Sequence, residues 1–406
     1  MINIVDEDGL DSVPPEEMFN GGPGWRRNRR QDSAQYKRGL VETAKTYAAV
    51  MRGDADPYHL RRLRENQGSA QFGFYMGDLL QRDTYMQYER IRGEWRGYVN
   101  ENRGIRDFRQ VERYWMHGGA THAPFMDENE QYAYDAVSGD HVGYRIRKYG
   151  KLFGLSWEAM INDDLMLLRD FPQRLANAAV NTEDRFVTLL YMTETGGLRT
   201  ANTREPFHAD HNNTLAADAG LGVVANQALS ENAVLAAIQQ MSEQTETEGD
   251  DELPIMMSNF HLVIPQNKSA YWRQIMETRE VRMDDGNPIV DTSYTFIRAN
   301  YMPSMVTVHV NPWIDILDNG SNKWFLFANP GNTRPGLEVG YLSGYESPQL
   351  FMRAPDTARI GGGGGGNGDG SFENDQMDYK MRGVFGGTTI DPRMMLASLG
   401  TGAIGS

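Results

Sequence analysis

A stripe of apolar residues at helical spacing constrains this chain more than any other feature. Leu175, Ala179, Phe186 and Leu190 fall on one face of a 3.6-residue period. The same run begins further back, as L-S-W-E-A-M-I-N-D-D-L from Leu155. Ser156 is placed to cap its N-terminus, and Glu158, Asp163 and Asp164 follow where the helix dipole favours acids. Pro172 cannot donate to the preceding turn, so it is expected to interrupt or restart the helix. From Ser156 to Met192 the two pieces span roughly 50 Å at 1.5 Å per residue. A rod of that length does not belong inside a compact domain. It empties into E-P-F-H-A-D-H-N-N, residues 205–213.

The chain has 406 residues, enough for a large core and two or three structural regions. It contains no cysteine, which excludes disulfides and thiolate metal sites. No run of about 18 apolar residues is present, so no membrane span is expected. The opening M-I-N-I-V-D-E-D is acidic and lacks a signal-peptide pattern, which implies synthesis in the cytoplasm. Net charge is −15, but residues 25–113 hold 19 Lys and Arg against 12 Asp and Glu. That local excess of +7 leaves −22 for the remainder. An acidic whole argues against a free-standing DNA-binding protein.

Residues 1–33 read as a Gly- and Pro-rich arm. From Ala34 to about Met116 the pattern predicts helix. Tyr36, Leu40, Ala44, Tyr47 and Met51 form one stripe, and Tyr75, Leu79, Tyr85, Tyr88, Ile91, Trp95 and Tyr98 a second. Arginines interleave with these aromatics, which are the ingredients of nucleic-acid binding, but an amphipathic coat with solvated arginines is the simpler reading. Residues 131–149 predict a hairpin, with Tyr132 and Tyr134 on one arm and Val142, Tyr144 and Ile146 on the other. Ser138-Gly139-Asp140 would be its turn. Beyond Asn213 a short helix is predicted over 230–241, followed by strands at 261–264, 306–310, 324–327, 337–342, 349–352 and 377–382. Sparse helices among six strands make the fold class α+β. The tract Gly361–Gly366 reads as a loop and lacks the Lys-Ser/Thr of a phosphate-binding loop.

His208-Ala-Asp210 is the sequence's only metal-like motif. With a distant histidine, His261 or His309, it would complete a two-His-one-carboxylate iron site, and Arg273 could hold a co-substrate carboxylate. The competing reading makes it a structural elbow, with Asp210 and Asn212-Asn213 capping and turning the loop. The elbow is favoured. No catalytic triad or thiol arrangement is supported, and neither a catalytic residue nor a cofactor is assigned.

The motifs L-F-G-L-S-W-E-A-M-I-N-D-D-L, F-P-Q-R-L-A-N-A-A and P-F-H-A-D-H-N-N, in this order, resemble major capsid proteins of tailed bacteriophages with the Hong Kong 97 type fold. Within that group the protease-fused capsid proteins and the Mu-like major head subunit are most similar. L-S-E-N-A-V-L-A-A-I-Q-Q-M, F-H-L-V-I-P, W-F-L-F-A-N through E-V-G-Y-L-S-G-Y-E-S-P-Q, and D-Y-K-M-R-G-V-F-G-G-T-T-I-D-P-R continue the likeness to about Gly400. Two departures stand out: F-H-A-D-H-N-N replaces the usual F-H-A-D-H-G-N, and the poly-Gly insertion is unfamiliar. Residues 1–115 do not resemble the fused protease.

The resemblance implies a spine helix and elbow over 156–214 within a peripheral domain, and an extended hairpin loop over 116–155 that reaches across a neighbour. It further implies a mainly axial domain over 215–330, return strands over 331–406, and a helical N-terminal extension over 1–115. It implies a structural, non-enzymatic subunit that joins copies of itself into pentamers and hexamers of an icosahedral shell around double-stranded DNA. Scaffolding, decoration and portal proteins are the further partners it implies, with the Arg-rich N-terminal region facing the DNA. Assembly would occur in the host cytoplasm. An iron oxygenase using His208, Asp210 and His261, or a DNA-binding scaffold, is the alternative from the residues alone.

Overall fold

The structure is a computed structural model and describes residues 41–43, 45, 84–88, 90–91, 93–117, 138–156, 166–200, 205–248, 251–255, 257–278, 280–284, 295–331, 334–353, 373 and 376–401. In chain order the strands begin with β1 (Asn100–Ile105), β2 (Val111–His117), β3 (Ser138–Tyr144), β4 (Arg147–Ser156), β5 (Thr245–Glu248), β6 (Asp251–Pro254) and β7 (Phe260–Ile264). They continue with β8 (Glu280–Asp284), β9 (Thr295–Ala299), β10 (Val306–Val310), β11 (Trp324–Phe327), β12 (Leu337–Leu342), β13 (Gln349–Met352), β14 (Gln376–Thr389) and β15 (Met395–Ser398). The helices are α1 (Met166–Tyr191), α2 (Glu231–Ser242), α3 (Ser269–Glu277), α4 (Met302–Met305) and α5 (Pro312–Leu317). The fold class is α+β.

One sheet has the order β10-β7-β11-β15, with β10 and β7 parallel and the other pairs antiparallel. Its central strand β11 is W-F-L-F, and all four residues are buried. Strand alternation sends Trp324 and Leu326, with Leu262, Ile264 and Leu396, to one face. Phe325 and Phe327, with Val263, Met395 and Ala397, go to the other. A sheet apolar on both faces must be covered on both. On the first face α2 lays down Ala233, Val234, Ala237 and Met241, joined by Trp272 of α3. On the second, α1 contributes Val187, Leu190 and Tyr191. Ser230 starts α2, its Oγ accepting from the Ala233 N–H at 3.2 Å.

The second sheet is built around β14. Along one edge β14 carries β12 at residues 385–389 and β13 at 379–382; along the other it carries β4 at 376–385. β1 adds to β12 in parallel. Neighbouring backbone crowds β14 so closely that a Cβ on Gly386 would collide with the Arg145 carbonyl oxygen. One on Gly387 would stand 2.5 Å from that of Glu338.

All six predicted strands and the helix after Ser230 form, with β14 running seven residues further than expected. Three expectations change. Helix does not continue to Met116, because residues 100–105 and 111–117 are strands held by β12 and β3. The hairpin does not turn at Ser138-Gly139-Asp140, which lie in β3 and pair with residues 115–117 of β2. Local turn propensity there loses to a longer-range ladder. Finally, Ser156 ends β4 rather than capping a helix, and α1 runs unbroken through Pro172. The described helix has 26 residues, about 39 Å. Tyr36, Leu40, Ala44, Tyr47, Met51, Tyr75, Leu79, Tyr132, Tyr134, Glu158, Asp163, Asp164 and the Gly361–Gly366 tract lie outside the described residues.

Candidate functional site

The loop that carries the metal-like motif is stitched into the body by its asparagines rather than its histidines. Ala209–His211 form one short 3₁₀ turn. Within it the Asp210 N–H donates to His208 Nδ1 at 3.3 Å, and Asp210 is largely exposed. Asn212 takes φ +46°, a left-handed conformation that glycine or asparagine adopts most readily. This is the position at which the sequence departs from the F-H-A-D-H-G-N pattern. Asn213 is buried and donates from Nδ2 to the carbonyls of Pro206 (2.6 Å) and Pro392 (2.9 Å). Gln240 and Gln244, on and just after α2, donate to the carbonyls of Asn212 at 2.9 and 2.8 Å.

His261 lies on β7 and makes a 3.0 Å hydrogen bond with His309 on β10. Burial holds both imidazoles below their ordinary value; for His309, with His261 adding to the effect, this reaches about 4. Tyr98 packs on the His309 ring at 5.4 Å, and a Cβ on Gly97 would collide with it. Among the described residues no three His, Asp or Glu side chains converge as a metal site. Arg273 is on α3.

The molecule's concentrated polar chemistry lies elsewhere, where residues 88–113 dock on the body. Glu183, on the buried stripe of α1, accepts from the Tyr88 hydroxyl at 2.7 and 2.9 Å, Arg96 Nη2 at 3.1 Å and the Tyr341 hydroxyl at 3.3 Å. The other guanidinium nitrogen of Arg96 meets Glu101 at 2.6 Å. Arg96 also lies over the Trp95 ring at 4.8 Å. Burial pushes the Glu183 carboxyl up to about 7 against the opposing pull of Arg96. Asp184 is likewise pushed by burial up to about 6.

A second buried carboxylate anchors the next stretch. Glu338 of β12 is 2% exposed. It accepts from the Tyr144 hydroxyl at 2.6 Å, Arg113 Nε at 2.9 Å and Asn100 Nδ2 at 3.1 Å. It therefore ties the base of the β2–β3 ribbon to β1 and the second sheet. The solvated-arginine reading fails for Arg96 and Arg113, whose guanidinium groups are neutralised inside the structure. No patterning pointed to Arg96. Glu183 did carry a signal: it lies three residues past Val180 and four before Val187, an acid within an apolar stripe.

Glu183 gives stability a definite pH dependence. Between its ordinary value of 4.5 and about 7, the folded chain keeps a proton that the unfolded chain has released. Stability is therefore highest below pH 4.5 with respect to this group, and declines as pH rises through that window, by about 3 kcal/mol. Asp184 adds a decline of the same sign. Glu183→Gln should flatten the slope between pH 5 and pH 7.5 in urea titrations. An unchanged slope would rule out this assignment.

A profile of the family described as phage capsid protein matches residues 141–398. Comparison with curated protein sequences gives no match. Several solved structures are similar. One, from Gordonia phage Cozz, is 13% identical with TM-score 0.42, over 74% of this chain and 83% of that one. The cyanophage Pam1 capsid asymmetric unit is 10% identical with TM-score 0.43, over 75% and 89%. A virus-like particle from Pyrococcus furiosus is 13% identical with TM-score 0.39, over 79% and 98%.

Proposed function

Because the chain belongs to the phage capsid protein family, we propose that it is the repeating subunit of a tailed-phage head, closing into pentamers and hexamers that tile an icosahedral shell. The family match over residues 141–398 carries this reading. In it α1 is the spine of a peripheral domain. The β2–β3 ribbon, with residues 118–137 between its strands, is the arm that reaches a neighbour. The layers of β7, β10, β11, α2 and α3 form the axial part. Heterologous contacts repeated around an axis close into rings, and rings tile a shell. The partners are further copies of the chain, with scaffolding, decoration and portal proteins around them and packaged DNA inside. Arginines N-terminal to Arg96 are the ones left to face that DNA. Assembly takes place in the host cytoplasm. Among the described residues no helix is long and apolar enough to cross a membrane.

Expression of the full chain, with light scattering and negative-stain microscopy, tests the proposal. Rings, tubes or shells are the expected products. A monodisperse dimer would sink it.

A further inference from the structure

The exposed face of the β4–β14–β13 ribbon carries positive charge that nothing on the ribbon neutralises. Cross-strand register sets Phe351, Lys380 and Leu152 in one row and Gln349, Arg382 and Gly150 in the next. The opposite face is accounted for, since Met381 packs in a cluster with Leu175, Ala176 and Ala179 of α1. On the open face Lys380 Nζ stands 5.0 Å from the Phe351 ring centroid and Arg382 Cζ 4.6 Å from it. Leu152 is 71% exposed and Phe351 37%. The ribbon's one carboxylate, Asp378, pairs with Arg353 at 3.5 Å. Among the described residues no carboxylate pairs with Lys380 or Arg382, and Arg382 Nε is buried without a hydrogen bond. An apolar surface with unneutralised cations is built for an acidic, partly apolar partner.

The same chain holds such a partner. β5 and β6 form a two-stranded hairpin outside both main sheets. Residues 243–252 contain six acids and no Lys or Arg. Register places Glu248 directly opposite Asp251, and Glu246 opposite Leu253. Like charges directly opposed destabilise a ladder, and an isolated two-stranded hairpin is marginal to begin with. Positions 246, 248, 251 and 253 share one face of this ladder by alternation, which makes three acids and a leucine.

We propose that the β5–β6 hairpin of one copy docks on the β4–β14–β13 face of the next, Glu246, Glu248 and Asp251 meeting Lys380 and Arg382 beside Leu152. Such a contact joins two different surfaces, so it propagates head to tail as ring formation requires. It rests on the capsid reading above and names the surfaces that reading needs.

The test uses the full-length chain. K380E/R382E and E246K/E248K/D251K should each lower the yield of assembled particles about tenfold, with circular dichroism and melting as in the parent. A chain carrying all five reversals should regain assembly. In a mixture of isotopically labelled and unlabelled parent chains, carbodiimide should couple Lys380 to acids of the hairpin across isotopes. The proposal is overturned if the five-reversal chain assembles no better than either set alone, or if coupling joins only like isotopes. It is equally overturned if K380E/R382E weakens salt-sensitive retention on DNA and leaves assembly intact. A parent that forms no particle at all brings down the capsid reading itself, whereas a parent that assembles without rescue brings down only this contact.

Discussion

Arg96→Met should destabilise the fold by about 3–5 kcal/mol, the usual penalty for leaving one partner of a buried ion pair uncompensated. Methionine keeps an apolar stem of similar reach but removes the guanidinium from between Glu183 and Glu101. Glu183 then faces the hydroxyls of Tyr88 and Tyr341 with Asp184 next to it and no cation. The side chain of Arg96 is only 14% exposed, so water cannot replace it cheaply. Because Glu183 is protonated more easily as pH falls, the loss should shrink between pH 7.5 and pH 5. Urea unfolding followed by tryptophan fluorescence, which includes buried Trp95, measures both effects. A loss under about 1 kcal/mol would mean that the pair behaves as a surface salt bridge.

Glu338→Ala should destabilise by about 3 kcal/mol or more, through a different mechanism. Here the acceptor disappears and several donors remain: the Tyr144 hydroxyl, the Arg113 guanidinium and the Asn100 amide. All approach from the segments that root the β2–β3 ribbon. Limited proteolysis should therefore show faster cleavage within residues 106–146 than in the parent, while β7, β11 and β15 stay protected. Uniform loosening across the chain would show that Glu338 has no special hold on the ribbon. Glu338→Gln should recover part of the loss, since its carbonyl still accepts from Tyr144.

Much of the architecture was legible because it follows local alternation. β11 announces itself as four large apolar residues, and β10 as Val306, Val308 and Val310 separated by Thr307 and His309. The stripe of α2 and its Ser230 cap are equally local. The errors fall where partners lie far apart in sequence. Residues 100–105 mix Arg, Asn and Gly with no period, and become a strand because β12, more than 230 residues later, offers an edge. Asp140 and Gly139 look like a turn until β2 pairs with them. His208 and Asp210 drew attention as chemistry, yet the loop is fixed by Asn212 and Asn213, whose neighbours on β15 and α2 no spacing rule links to them. The buried carboxylates follow the same logic. Glu183 was visible as an acid on an apolar stripe, but its cation comes from a segment that reads as solvated coat.

The position of β14 and β15 has a consequence for how the chain comes off the ribosome. Both sheets wait for them: β12 and β13 pair with β14, and β11 pairs with β15. A nascent chain that ends before residue 376 has β7 and β11 in hand but lacks the strands that close either layer. The α1 face over Met381 and the elbow bond from Asn213 to Pro392 are also missing at that stage. Strand pairings this distant in sequence are slow to form. The folded surfaces that a neighbour could recognise thus arise only once synthesis is nearly complete, which keeps half-made subunits out of a growing lattice.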